Sequence, residues 1–176
     1  MKTLAATADA VHQSFTTLLD QHRRMVFKVA NTYARVGAER EDLAQEIAAQ
    51  LWRAFPAYDA ARPFSTWLYR IALNTGISHL RRSSLRARRT VPFELEQHEI
   101  ADPHAASQDG EDPALVLEIF MAQLDALDRA LLLLYLEEHS YRDIAEILGI
   151  SETNVSTKIN RLKERVRRFG ETHGTR

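Results

Sequence analysis

The sequence predicts an all-α protein, two small helical bundles joined by a flexible acidic linker. Three observations carry that expectation. Apolar residues recur at three- and four-residue steps in both halves, β-type alternation of useful length is absent, and a stretch of different character from 83 to 112 lies between them. A chain of 176 residues suffices for one ordinary domain or two small ones. Its 45% hydrophobic share fits a globular core, and 27% charged residues fits a water-facing surface.

Taken in order, Phe15, Leu18, Leu19, Val26, Val29, Ala30 and Tyr33 draw one apolar stripe on a helix, which Gly37 breaks. A second helix is expected from about Glu39 to Phe55, with Leu43, Ile47, Leu51 and Phe55 on one face. Pro56 ends it and opens a loop to Pro63. Ser65 is the expected N-cap of a third helix running through Trp67, Leu68, Ile71 and Ala72 toward Arg82. From Ser83 to Pro113 the chain has three prolines and no sustained periodicity, which reads as a linker, extended or disordered when the protein is alone. A second helical unit begins near Pro113, a residue tolerated in a helix's first turn. Its apolar positions include Leu115, Ile119, Phe120, Leu124, Leu127 and the run Leu131 to Leu136. The expected division is therefore 12–82, a linker over 83–112, and 113–170.

The net charge of −1 hides a strong segregation. Residues 1–90 hold 14 Lys/Arg against 7 Asp/Glu, residues 91–128 hold none against 10, and residues 129–176 hold 9 against 7. Basic ends suit polyanions, although solvated faces are often uneven too. With no cysteine there is no disulfide scaffold and no cysteine-based zinc or redox site, which fits a reducing cytoplasm. The longest apolar stretch, Ala130 to Leu136, falls far short of the roughly 20 residues a bilayer span needs, and no secretory signal is evident, so a cytoplasmic protein without membrane insertion is expected. His12, His22, His79, His98, His104, His139 and His173 are scattered without metal-ligand spacing. There is no phosphate-cradling glycine loop and no nucleophile elbow, so no catalytic residue, cofactor or metal is expected.

The strongest motif lies between Ser140 and Arg165. Ser140 can cap a helix with Asp143 reaching back, Ala145 allows a close helix approach, Gly149 suits a left-handed turn, and Ser151 caps the next helix. Ile144, Leu148, Ile150, Val155 and Ile159 supply a small core that fixes the angle between the two helices. This is the spacing of a helix-turn-helix, whose second helix enters the major groove with its N-terminal residues at base edges. That helix carries Thr153, Asn154, Ser156, Thr157 and Lys158, followed by Asn160, Arg161, Lys163 and Arg165, groups able to bond base edges or neutralise phosphates. A helical hairpin with a solvated basic face is the plainer reading of the same residues.

The first half adds three features, each with a plain counterpart. Asp42, Gln45, Glu46 and Arg53 line the polar side of the second helix, which on spacing alone fits a solvated face. Aromatic residues interleave with Arg and Asn over 62–82, a pattern that holds unpaired bases by stacking and cationic steering, while Trp67, Leu68 and Ile71 equally fit a core. Arg81, Arg82, Arg86, Arg88 and Arg89 form a basic cluster suited to phosphate, or merely solvated.

Together these segments resemble the sigma-70 family of transcription initiation factors. The stretch DLAQE…LWRAF is similar to sigma region 2.2, FSTWLYRIALN…HLRR to regions 2.3 and 2.4, and SYRDIAEILGIS…NVSTKINRLKERVRR to region 4.2. The resemblance covers roughly 12–82 and 114–168. With no counterpart of the extra domains of larger members, it points to the extracytoplasmic-function group. It implies that Asp42, Gln45, Glu46, Gln50 and Arg53 dock on core RNA polymerase. It further implies that Phe64, Trp67, Tyr69, Arg70, Asn74, His79, Arg81 and Arg82 meet the promoter's minus-ten element, with the loop from Pro56 to Pro63 accepting a flipped base. Thr153, Asn154, Ser156, Thr157, Lys158, Asn160, Arg161, Lys163 and Arg165 would read the minus-thirty-five element. An anti-sigma partner and a monomeric free state are implied as well.

This sequence departs from the family pattern at three places: Leu127-Asp128 replaces a frequent Leu-Pro, Ser78 stands where Asp is common, and Glu152-Thr153-Asn154 replaces a frequent Gly-Thr. By resemblance the linker passes through polymerase channels otherwise used by nucleic acid. Its acids Glu94, Glu96, Glu99, Asp102, Asp109, Glu111 and Asp112 can imitate a phosphate backbone there or simply solvate a tether. The rival reading is a free-standing regulator using the helix-turn-helix as a dimer, for which the sequence offers no heptad seam.

Overall fold

The structure, a computed structural model, describes residues 2–34, 36–90 and 113–173. The acidic stretch 91–112, and with it the expectation of a disordered or nucleic-acid-like linker, lies outside the described residues. The elements in chain order are α1 (Lys2–Gln21), α2 (Arg23–Tyr33), α3 (Gly37–Ala54), a 3-10 turn (Phe55–Ala57), α4 (Phe64–Thr90), α5 (Pro113–Ala122), α6 (Ala126–Leu136), α7 (Tyr141–Leu148) and α8 (Glu152–His173). The described residues contain no strand, and the chain is all-α in two helical lobes, as its periodicity predicts.

In the N-terminal lobe α2, α3 and α4 pack on one another, burying Val29, Ala30, Leu43, Ile47, Leu51, Leu68 and Ala72 completely. Phe15 of α1 closes one end of this core against the rings of Trp52 and Phe55, with centroids 5.1 Å away in both cases. The stripe expected on one helix is carried by two, because the chain breaks at His22 (φ −110°, ψ 9°). No helix-breaking residue marks this point in the sequence. One tie is tertiary, the His22 ring packing 5.0 Å from that of Phe64 in α4, and one is local, its Nδ1 sitting 2.8 Å from the Leu18 carbonyl oxygen. Ser65 is not the cap of α4. The Trp67 N–H donates to the Pro63 carbonyl, so Pro63 opens the helix and Ser65 already lies within its first turn. The same helix runs to Thr90, into the stretch read as linker from Ser83. Neither Pro nor Gly interrupts residues 77–90, and arginines near a helix C-terminus are favoured by its dipole.

Gly76 lets α2 and α4 approach. A Cβ there would stand 2.5 Å from Cδ2 of Tyr33, whose ring is buried and whose hydroxyl donates to the Ala126 carbonyl at 2.8 Å. Alanine in a helix interior gains about 1 kcal/mol over glycine. Overpacking against a ring tethered at both ends opposes it by about 1–3 kcal/mol. Gly76→Ala is therefore expected to lower the urea denaturation midpoint, and an unchanged midpoint would mean that the Tyr33 ring yields freely.

The C-terminal lobe packs α5, α6 and α7 onto α8 around Phe120, Leu131, Leu134, Ile144, Ile147, Val155, Ile159 and Leu162. Its caps follow the sequence closely. Ser140 and Asp143 form a reciprocal capping box, Gly149 takes the left-handed conformation (φ 68°), and the Asn154 N–H donates to Ser151 Oγ at 3.2 Å.

The two lobes are packed together, α4 meeting α6 and α7 while α2 meets α6. At the centre is Arg129, only 6% exposed, which donates to Leu124 O (3.1 Å) and Ala122 O (2.9 Å) in its own lobe and to Thr32 O (3.2 Å) in the other. Tyr33 reaches Ala126 from the opposite side, and burial drives its hydroxyl pKa well above the ordinary tyrosine value. Lys28 pairs with Glu137, and Arg62 with Glu146 at 3.3 Å. Tyr69, 2% exposed, meets the edge of His139 at 5.3 Å.

Candidate nucleic-acid interface

The turn at Gly149 and the Ser151 cap fix where α8 starts and therefore which way its first turns face. With about 100° per residue, Thr153, Asn154, Thr157, Asn160 and Arg161 fall on one arc opposite the buried Val155, Ile159 and Leu162. All five are exposed. That arc offers an amide at Asn154, another at Asn160, two hydroxyls and a guanidinium, with Thr157 Oγ1 donating back to Thr153 O at 2.9 Å. Such groups can pair with base edges and phosphate oxygens at the N-terminal end of an inserted helix.

The other four α8 residues singled out from sequence sit on its flanks. Ser156 is half-buried. Lys163 lies over the Tyr135 ring at 4.7 Å, and hydrogen bonding to Tyr135 is the main cause holding its ammonium pKa above the usual lysine range. Lys158 and Arg165 share the remaining flank and both reach the Asp128 carboxylate, at 3.4 Å and 3.1 Å. Sequence reasoning missed Asp128 as a site residue. Its one signal was the replacement of a frequent proline at that position.

On α4, Arg70, Asn74, Arg81 and Arg82 are exposed, Trp67 and His79 are half-buried, and Phe64 and Tyr69 are buried. Phe64 and Trp67 belong to an aromatic wall with Phe55 and Tyr58. The Tyr58 ring stands 5.0 Å from Trp67 and 5.4 Å from Phe64, and its hydroxyl donates to Arg62 O at 2.8 Å. Tyr58, the half-buried ring on the loop itself, was not among the residues picked from sequence, although that loop was. Tyr69 lies under the C-terminal lobe, and burial, followed by Glu137, pushes its hydroxyl pKa up to about 12.

On α3, Asp42, Gln45 and Arg53 are exposed and Glu46 and Gln50 half-buried, forming a continuous stripe at three- and four-residue steps. Trp52, 41% exposed, borders it beside His12. Glu46 does not stand apart from the α4 residues. It accepts two hydrogen bonds from Arg82, at 2.7 Å and 2.9 Å, and His79 beside it contacts Glu39 at 2.9 Å. Two surfaces that the sequence separates thus share one ion network. Among the described residues there is no cluster of three or more His, Cys, Asp or Glu placed to hold a metal, and no helix is long and apolar enough to cross a membrane.

Residues 18–86 match the family description Sigma-70 region 2, and residues 117–166 match Sigma-70, region 4. The ECF RNA polymerase sigma factor SigW of Bacillus subtilis is 27% identical over 164 residues, covering 88% of each chain. The RNA polymerase sigma-H factor of Pseudomonas aeruginosa is 29% identical over 163 residues, covering 88% of this chain and 84% of that one. In fold, the chain resembles the sigma factor RpoE from Bartonella quintana, solved with the anti-sigma factor NepR. The TM-score is 0.70 at 18% identity, over 90% of this chain and 98% of the other. CnrH, solved with the cytosolic domain of CnrY, gives a TM-score of 0.65 at 20% identity over 94% of both chains.

Proposed function

The chain belongs to the sigma-70 family, in its extracytoplasmic-function group, and from that premise we propose how its surfaces divide the work of a sigma factor. It is a non-enzymatic initiation factor whose partners are core RNA polymerase and promoter DNA. It acts in the cytoplasm, where both are found. The domains are 12–82 and 113–170, with 83–112 between them and the α4 helix running into that connector.

The exposed arc of α8 carries this reading furthest: a capped recognition helix whose outward face is all hydrogen-bonding groups. Thr153, Asn154, Thr157, Asn160 and Arg161 read the minus-thirty-five duplex, and Lys158, Lys163 and Arg165 serve the flanking phosphates. The α3 stripe from Asp42 to Arg53 docks on polymerase. Trp67 and the loop before α4 take an unstacked base from the minus-ten element, while Arg70, Asn74, Arg81 and Arg82 follow the strand. Extracting a base costs a few kcal/mol, which polymerase docking and the upstream contact offset. Both elements are engaged at once only when the lobes part, which also uncovers Tyr69. An anti-sigma protein, the kind of partner bound to RpoE and CnrH in their solved complexes, would act by hiding these surfaces.

The test is run-off transcription with core polymerase of the source organism on sheared genomic DNA. Defined new start sites are expected only with the protein present. Asp42→Ala with Gln45→Ala should reduce them at least about tenfold, as truncations at interface hot spots do. Duplex binding without polymerase and without new starts would instead establish a free-standing regulator.

A further inference from the structure

The Asp128 carboxylate occupies a position that matters for how strongly α8 holds DNA. It stands in the first turn of α6, where its main-chain N–H is held by the Asp125 cap at 2.8 Å, so its backbone is fixed. Its side chain is 15% exposed, and each of its two oxygens receives one cation from α8: Oδ1 from Lys158 at 3.4 Å and Oδ2 from Arg165 at 3.1 Å. These residues lie seven apart, two turns along one flank of the helix, so a single carboxylate engages two cations of the same edge. A carboxylate and a phosphate want the same donors from the same guanidinium and ammonium.

We propose that Asp128 is an internal counter-charge that competes with DNA phosphates for Lys158 and Arg165, and so sets the affinity and salt dependence of the recognition helix. It is a tuning residue that touches no base. In the free protein the flank is neutralised from within, and the exposed arc is left to search for sequence. On DNA, the two cations reach phosphate only by leaving Asp128, so the carboxylate keeps part of their population and fewer phosphates are neutralised than by two unpaired cations. The consequence is weaker hold on arbitrary DNA relative to the right sequence, because the phosphate contribution is sequence-independent whereas the arc's is not.

This inference rests on the reading of α8 as the duplex-binding helix, and the experiment separates the two. The probe is a fluorescein-labelled mixed-sequence DNA duplex, titrated with the full chain and followed by anisotropy across a potassium chloride series. Arg161→Ala reports on the helix reading itself: with α8 on the duplex it weakens binding, and if it does not, α8 is not the contact. Asp128→Asn keeps the side-chain volume and the Asp125 cap. It is expected to tighten binding several-fold near 0.1 M salt and to steepen the salt dependence by up to about two logarithmic units per decade, close to 0.9 for each further phosphate neutralised. In a Lys158→Gln, Arg165→Gln background the Asp128→Asn effect should vanish. A merely structural role would shift the thermal midpoint and leave the salt slope of the folded protein unchanged. With Arg161→Ala behaving as expected, an Asp128→Asn slope and affinity equal to or below the parent's would overturn the counter-charge.

Discussion

Arg129→Ala is expected to lower the stability of the folded chain by about 2–4 kcal/mol, because one buried guanidinium terminates one helix and joins two lobes. Helix α5 ends at Ala122, and the carbonyls of Ala122 and Leu124 then have no helical N–H to receive. Arg129 donates to both, placing a cation at the negative end of the helix, and its third contact crosses to Thr32 O at the end of α2. The site is 6% exposed, so truncation leaves buried acceptors that water reaches poorly. Recovering the desolvation of the guanidinium offsets part of the loss, which is why the expected value stays below the sum of three charged hydrogen bonds. Arg129→Lys should lose most of the same amount, since a single ammonium cannot reach three carbonyls that converge on a planar fork. Urea denaturation measures the stability, and small-angle scattering should show the free protein expanding as the Thr32 bond is lost. An unchanged midpoint for both variants would mean that the three carbonyls are satisfied without Arg129.

Much of the C-terminal lobe could be read from the chain because its determinants are local. Ser140 and Asp143 are three residues apart, Gly149 needs only its own backbone freedom, and Ser151 caps the helix it precedes. Each acts within one turn, so pattern alone locates it. Whatever depends on residues far apart was illegible. The Lys28–Glu137 partners are 109 residues apart, and the Arg129–Thr32 contact spans 97. The break at His22 has no glycine or proline to announce it, and the ring that packs on it belongs to the distant Phe64. The candidate site shows the same divide. Periodicity could put Asp42, Glu46 and Arg53 on one face of α3, but not tie Glu46 to Arg82. It could name Lys158 and Arg165 as cations on the second helix, but not that Asp128 holds both. Tyr69 was named through the family resemblance, and only tertiary packing puts it beside His139.

Locking the lobes together is expected to abolish promoter-specific transcription outright. The chain has no cysteine, so Lys28→Cys with Glu137→Cys creates two addressable thiols at a contact between α2 and the end of α6. Lys28 is exposed and Glu137 half-buried, so losing their ion pair should alter stability by no more than about 1 kcal/mol. Elements centred near minus ten and minus thirty-five are roughly 25 base pairs apart, about 85 Å along the duplex at 3.4 Å per base pair. A compact chain of this length has a radius of gyration of about 16 Å and spans roughly 40 Å. On the proposed division of the two reading surfaces, lobes packed against each other cannot reach both elements, and that proposal requires them to separate. A bis-maleimide with a reducible arm should close the thiols in the free protein. Run-off start sites should disappear on cross-linking and return when the arm is cleaved. The unlinked double variant should keep them throughout, showing that the substitutions themselves are tolerated. Start sites that survive quantitative cross-linking would mean that the packed arrangement is itself able to initiate, and the separation of the lobes would have to be abandoned as a step in its action.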